Sequence, residues 1–60
     1  MYSFIFTSKS TYNGKDNYLM HILLDDVIID STFIQVPEGS DQSYLDSIAN
    51  SKIEYLQGLN

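Results

Sequence analysis

The chain has 60 residues, a net charge of −5, one His and no Cys, a composition that excludes disulfides and Cys/His zinc sites. Its three basic residues are scattered Lys and it has no Arg, so we expect no direct nucleic-acid binding. A hydrophobic fraction of 43% is too high for a disordered chain, and we expect a single small domain over residues 1–60.

The first part of the chain predicts a β-hairpin. Residues 2–12 are rich in β-forming side chains and end at Asn13-Gly14, and a second apolar run covers about residues 17–24. Asn-Gly between two such runs is the strongest short hairpin signal, because both central positions of a type I′ turn need positive φ. We therefore predict two antiparallel strands joined by a two-residue turn.

A third strand follows the hairpin. Asp25-Asp26 interrupts the apolar sequence, and two adjacent carboxylates with poor β-propensity predict a second tight turn. The strand after it covers about residues 27–36 and ends at a Pro-Glu-Gly segment, because Pro has no backbone donor and Gly tolerates positive φ.

The last part of the chain predicts one helix over about residues 41–57. Ser40 or Asp41 can cap its first turn, and Gly58 is suited to end it. Apolar residues recur in it at offsets of three and four, namely Tyr44, Leu45, Ile48, Ala49, Ile53 and Leu56. The predicted fold class is α+β: a three-stranded antiparallel β-meander followed by one C-terminal α-helix packed on one sheet face (β-β-β-α).

Both faces of the predicted sheet are apolar. A two-residue turn at residues 13–14 places Ile5 opposite Ile22 and Phe6 opposite His21, so that an aromatic face forms behind an aliphatic one. A helix of this length extends over about 24 Å and can cover only one face. We expect the aromatic face or a sheet edge to bind a protein, including a second copy of the chain. The alternative is a bulge that shifts the register, so that both faces are partly buried in one chain.

One histidine and three nearby carboxylates are the candidates for chemistry. The same register places His21 opposite Asp30, a pair that could orient an imidazole for proton transfer or act as a pH switch. Because no Cys or paired nucleophile accompanies it, we predict a structural histidine and no enzymatic activity. Asp25, Asp26 and Asp30 offer oxygen ligands without the spacing of a calcium loop, so we predict a solvated turn, no metal site and no cofactor.

These features predict a non-enzymatic protein-interaction module. We interpret the chain as a small homodimeric inhibitor or regulator that binds a larger host protein through aromatic and acidic surface. Its Tyr-rich, Arg-free composition suggests a viral or mobile-element type. Its acidic second half leaves nucleic-acid mimicry open as a version of this function. The alternative is a small-ligand-binding protein with a site at the subunit interface near His21.

The expected location is cytoplasmic, in the host cytoplasm if the protein is viral. The first residues lack the basic and sustained apolar regions of a signal peptide, and the apolar runs are too short to cross a bilayer. The candidate interaction residues are Tyr2, Phe4, Phe6, Tyr12, Tyr18, His21, Asp25, Asp26, Asp30, Tyr44 and Tyr55.

Overall fold

The structure, a computed structural model, describes residues 1–58. Its elements are β1 (Tyr2–Tyr12), β2 (Lys15–Leu24), β3 (Val27–Pro37) and α1 (Gln42–Gly58). The strands form one antiparallel sheet in the order β1-β2-β3, and the helix follows the last strand. This confirms the predicted β-β-β-α fold. The second strand begins two residues earlier than predicted, because the pairing continues up to the two-residue turn.

Both connections between strands are two-residue turns, as predicted, and the central residues of both have positive φ. Asn13 and Gly14 have φ values of 52° and 73°, and Asp25 and Asp26 have values of 51° and 66°. Positive φ at both central positions is the requirement of a type I′ turn, whose twist matches that of the flanking strands. Asp tolerates the left-handed region better than most residues, but it keeps a Cβ where Gly has none.

A bulge in β1 changes its register on β2 between Thr7 and Ser10. Ser8 has a φ of 57°, the left-handed conformation that often marks the first residue of a bulge. On the turn side of the bulge the pairs are those of a two-residue turn, and beyond it every pair is displaced by one residue. The bulge that the alternative prediction required is therefore present.

This displacement exchanges the faces of the first half of β1. Ile5 lies opposite His21 and Phe4 lies opposite Ile22, so the predicted pairs of Ile5 with Ile22 and of Phe6 with His21 are wrong by one residue. Because side chains alternate between faces, a one-residue displacement moves each of them to the other side of the sheet.

A second bulge lies in β3. Ile22 pairs with Asp30 and Leu23 pairs with Ile28, which leaves Ile29 as the extra residue. The predicted pairing of the histidine with Asp30 is also wrong by one residue, because the cross-strand partner of the histidine is the following residue of β3.

The helix packs on the sheet face that carries Phe4, Phe6, Met20 and Ile22. Ala49 of α1 lies against Met20 and Ile22 of β2, and all three are buried. Around this centre pack partly buried residues of strands and helix: Tyr2, Phe4, Phe6, Ile34, Ile48, Ile53 and Leu56. Edge-to-face ring contacts at 5.8 Å join Phe4 to Phe6 and Phe6 to Tyr18. Each such pair contributes roughly 0.5–1.5 kcal/mol beyond the burial of its area.

A buried carboxylate fixes the start of the helix to the sheet. Asp16 accepts hydrogen bonds from the Thr11 hydroxyl at 2.6 Å and from the backbone N–H of Gly39 at 3.0 Å. The Thr11 bond, the Gly39 bond and the charge of Lys9 lower the pKa of Asp16 below its ordinary value, although burial opposes them. Two residues further along, Asp41 caps the helix by accepting from the N–H of Tyr44 at 2.9 Å, as predicted.

Candidate protein-binding face

The sheet face opposite α1 is the surface that the helix leaves uncovered, and we call it the open face. Alternation along the strands assigns residues to it from all three strands, with each row of the ladder contributing one residue per strand. Its apolar members are Ile5, Leu19, Leu23, Ile28 and Phe33, and its central polar members are Thr7, His21, Ser31, Asn17 and Gln35.

The apolar side chains of the open face are largely accessible. Phe33 is 78% exposed, Ile28 is 52% exposed and Ile5 is 48% exposed. Leu19 and Leu23 are half-buried because β2 is the central strand and the two outer strands shelter them. One helix therefore covers one face only. Of the alternative prediction, a bulge with both faces partly buried in one chain, the bulge is found; the central strand of the open face is half-buried, whereas the apolar residues of its outer strands stay exposed.

His21 lies on the central strand of the open face, between two hydroxyl groups. Its Nδ1 is 2.8 Å from the Ser31 hydroxyl of β3, and its Nε2 is 3.0 Å from the Thr7 hydroxyl of β1. A neutral imidazole has one nitrogen that donates a hydrogen bond and one that accepts, whereas a charged imidazole donates from both. Because a hydroxyl can donate or accept, Thr7 and Ser31 can pair with either form. The two hydroxyl partners are contacts that the sequence reasoning missed.

A hydroxyl beside an imidazole is one part of a nucleophilic site, but the other parts are not assembled here. The side chains bonded to His21 are Thr7 and Ser31, whereas catalytic histidines of this type are usually oriented by a carboxylate or amide. The residues 1–58 enclose no cavity in which a substrate could be held against the hydroxyl. The geometry describes a hydrogen-bonded histidine on a surface.

The carboxylates lie away from the open face. Asp30 points to the helix side, where its Oδ2 lies 3.6 Å from the Lys52 ammonium and accepts a hydrogen bond from Thr32. Asp16 is buried on that same side. The others lie in the turn between β2 and β3, in the loop after β3 and in α1: Asp25, Asp26, Glu38, Asp41, Asp46 and Glu54. Within the described chain, the open face thus has no acidic side chain.

Of the predicted aromatic residues of β1 and β2, Tyr12 lies on the open face and the other four do not. Tyr2, Phe4 and Phe6 are half-buried on the helix side because the bulge at Ser8 reverses their orientation, and Tyr18 of β2 is half-buried beside Phe6. Phe33 and Ile28, which are prominent on the open face, were not among the predicted contact residues. A single inserted residue within a polar stretch changes no apolar spacing, so the sequence gives no signal for it.

Three other predicted tyrosines are accessible. Tyr12 is the last residue of β1 and lies on the open face opposite Lys15, whereas Tyr44 and Tyr55 lie on α1. The ring of Tyr55 lies 5.3 Å from the Lys52 ammonium, a cation–π distance. Whether these side chains touch a partner stays a prediction.

Asp25, Asp26 and Asp30 are not brought together as metal ligands. The first two are exposed in the turn, and the third faces the helix. Among residues 1–58 no group of three His, Asp or Glu side chains is close enough to hold a metal ion. No helix in that range is long and apolar enough to cross a membrane.

No family model, curated protein or solved structure matches the chain. Function is therefore inferred from the surface itself.

Proposed function

We propose that this chain is a non-enzymatic protein-interaction module that binds a protein through its open face. The supporting observation is the combination of exposure and charge on that face, where Phe33 is 78% exposed and Ile28 is 52% exposed on a surface whose described residues include no carboxylate. The largest apolar patch on a typical soluble monomer covers about 300–600 Å² and is often a functional surface.

The size of the open face is adequate for this role. Strands of 11 residues give it a length of about 36 Å, and three strands give it a width of about 14 Å. Its footprint is therefore roughly 500 Å², of which about 300 Å² is apolar, worth on the order of 8 kcal/mol when removed from water. Association entropy offsets much of this gain, so the expected affinity is moderate.

The finer form of the proposal is an inhibitor or regulator of a larger protein, of viral or mobile-element type and acting in the host cytoplasm. It is supported by the net charge of −5, whose carboxylates lie outside the open face, and by the exposed rings of Tyr44 and Tyr55 on α1. Acidic surface of this kind speeds association with a basic target. Five of the eight carboxylates already have partners among the described residues, namely Asp16, Asp25, Asp30, Asp41 and Asp46. This leaves fewer free charges for a mimic of nucleic acid.

Site-specific photocrosslinking in cells tests the role of the open face. Benzoylphenylalanine replaces Phe33 in one variant and Ser43, an exposed residue at the start of α1, in the control. We expect irradiation to give a covalent protein adduct from position 33 and not from position 43. No adduct at position 33, or equal adducts at both positions, would remove the basis of the proposal. A noncovalently retained small molecule in native mass spectra, together with no protein adduct, would favour the ligand-binding alternative.

A further inference from the structure

We propose that the occupant of the open face is a second copy of this chain, packed sheet against sheet across a two-fold axis. This inference rests on the proposed function, because it names the partner of the same surface. Three observations support it: the charge of the chain, the irregularity of the sheet edges and the area of the face.

The charge distribution favours self-association through this face over any other. Two copies that each carry a net charge of −5 repel one another wherever their carboxylates approach. The open face lacks carboxylates among the described residues, and its charged member is Lys15 at one end of β2. A strongly basic partner would gain more by binding the acidic surfaces elsewhere, whereas a neutral face is complementary to its own copy.

The sheet edges are poorly suited to pairing with another copy. β1 carries the bulge at Ser8 and the charge of Lys9, and β3 carries the bulge at Ile29 and ends at Pro37. Bulges, charges and Pro on outer strands are the features by which proteins prevent edge-to-edge pairing. Association through a sheet edge, one of the two modes expected from the sequence, is therefore the less favourable mode.

The area is sufficient for a specific but moderate dimer. Two footprints of roughly 500 Å² give about 1,000 Å² of buried surface, the lower limit for a specific protein interface. We therefore expect a dissociation constant on the order of micromolar. A chain of 60 residues without Cys also belongs to the size class in which oligomerisation commonly supplements a small core.

The two-fold geometry brings the middle of β2 from each copy together. Leu19 is the middle one of the five β2 residues on the open face, so a two-fold axis that runs between the two sheets at the centre of this face places the two Leu19 side chains near one another. Stacked sheets lie about 10 Å apart, a separation that side chains from both copies fill. Phe33 and Ile28, on an outer strand, then become covered by the other copy.

Sedimentation equilibrium between about 1 and 200 μM tests the proposal, with Phe33→Asp as the disrupting variant. Tyr55→Asp is the matched control, because Tyr55 is 61% exposed but lies on α1. We expect the wild type and Tyr55→Asp to form dimers with the same constant, and Phe33→Asp to dimerise at least 30-fold more weakly. If circular dichroism shows that Phe33→Asp is unfolded, Ile28→Lys, from the same face, is measured in its place.

A wild type that stays monomeric at 200 μM overturns the inference, and so does an equal weakening by Phe33→Asp and Tyr55→Asp. Failure of the inference and failure of the proposed function are distinguishable by the crosslinked product. If the wild type is monomeric and position 33 forms adducts with a different protein, the proposed function stands and the dimer is excluded. If the wild type is monomeric and position 33 forms no adduct, both proposals fail.

Discussion

The two-residue turn alone would place Ile5 and Ile22 opposite one another, but the bulge at Ser8 puts them on opposite faces of the sheet. We therefore expect their replacement by Ala to lower the free energy of unfolding by very different amounts. Ile22 is 0% exposed beneath α1, whereas Ile5 is 48% exposed on the open face. Without the bulge they would share one face and one environment. Replacing each with Ala therefore tests the register itself.

The expected magnitudes follow from burial. Ile22→Ala removes a fully buried side chain and leaves a cavity, at a cost of about 3–4 kcal/mol. Ile5→Ala removes a side chain that is roughly half accessible in the monomer, so it loses about 1 kcal/mol at about 0.8 kcal/mol per buried methylene. A domain of this size has a free energy of unfolding of only about 3–9 kcal/mol, so Ile22→Ala should be close to unfolded at 25 °C.

Urea unfolding at about 1 μM, where self-association is minor, measures both changes in the monomer. The slopes of the transitions should agree between variants, so that the shift in midpoint reports stability alone. At about 100 μM we expect Ile5→Ala to lose additional stability relative to wild type, because it also weakens the dimer. Equal losses for the two variants at low concentration would contradict the register and, with it, the identity of the open face.

Two further predictions concern the buried Asp16 carboxylate and the turn between β2 and β3. Because the Thr11 and Gly39 bonds lower the pKa of Asp16, its contribution to stability is present above its ordinary value of 3.8 and is lost as the pH falls through the lower folded value. Asp16→Asn should therefore have a lower melting temperature than wild type at pH 7, and the difference should narrow below about pH 4. A difference in melting temperature that does not change with pH would refute this. Glu54→Gln, on the exposed side of α1, is the control. Asp26→Gly should raise stability by roughly 0.5–1 kcal/mol, because Gly relieves the positive φ of 66°; a drop in melting temperature would contradict the strain.

The order of strands and helix can be predicted from the sequence because local signals mark the boundaries between them. Asn13-Gly14 determines the first turn, Asp25-Asp26 the second, and the cap at Asp41 the start of the helix. These signals involve neighbouring residues, and their physics is local. The three strands and the helix accordingly lie where the pattern predicts them, within about two residues.

The assignment of faces was less accessible to sequence reasoning because it depends on one residue in a stretch without apolar markers. Thr7, Ser8, Lys9 and Ser10 are all polar and exposed, so an insertion there alters no hydrophobic spacing. The left-handed conformation of Ser8 is a non-Gly exception that propensity does not predict. The register carried from the turn was therefore right next to the turn and wrong beyond the bulge.

The bulge determines which surface is available to a partner. With the displaced register, the largest rings of β1 contribute to the core beneath α1, and Ile5 joins Phe33 of β3 on the open face. The same distortion, together with the bulge at Ile29, interrupts the regular hydrogen-bonding edges on which strand addition depends. The bulge at Ser8 thus both interrupts the β1 edge and places Ile5 on the open face. We expect a variant without this bulge to have a more regular β1 edge and a different set of residues on the open face.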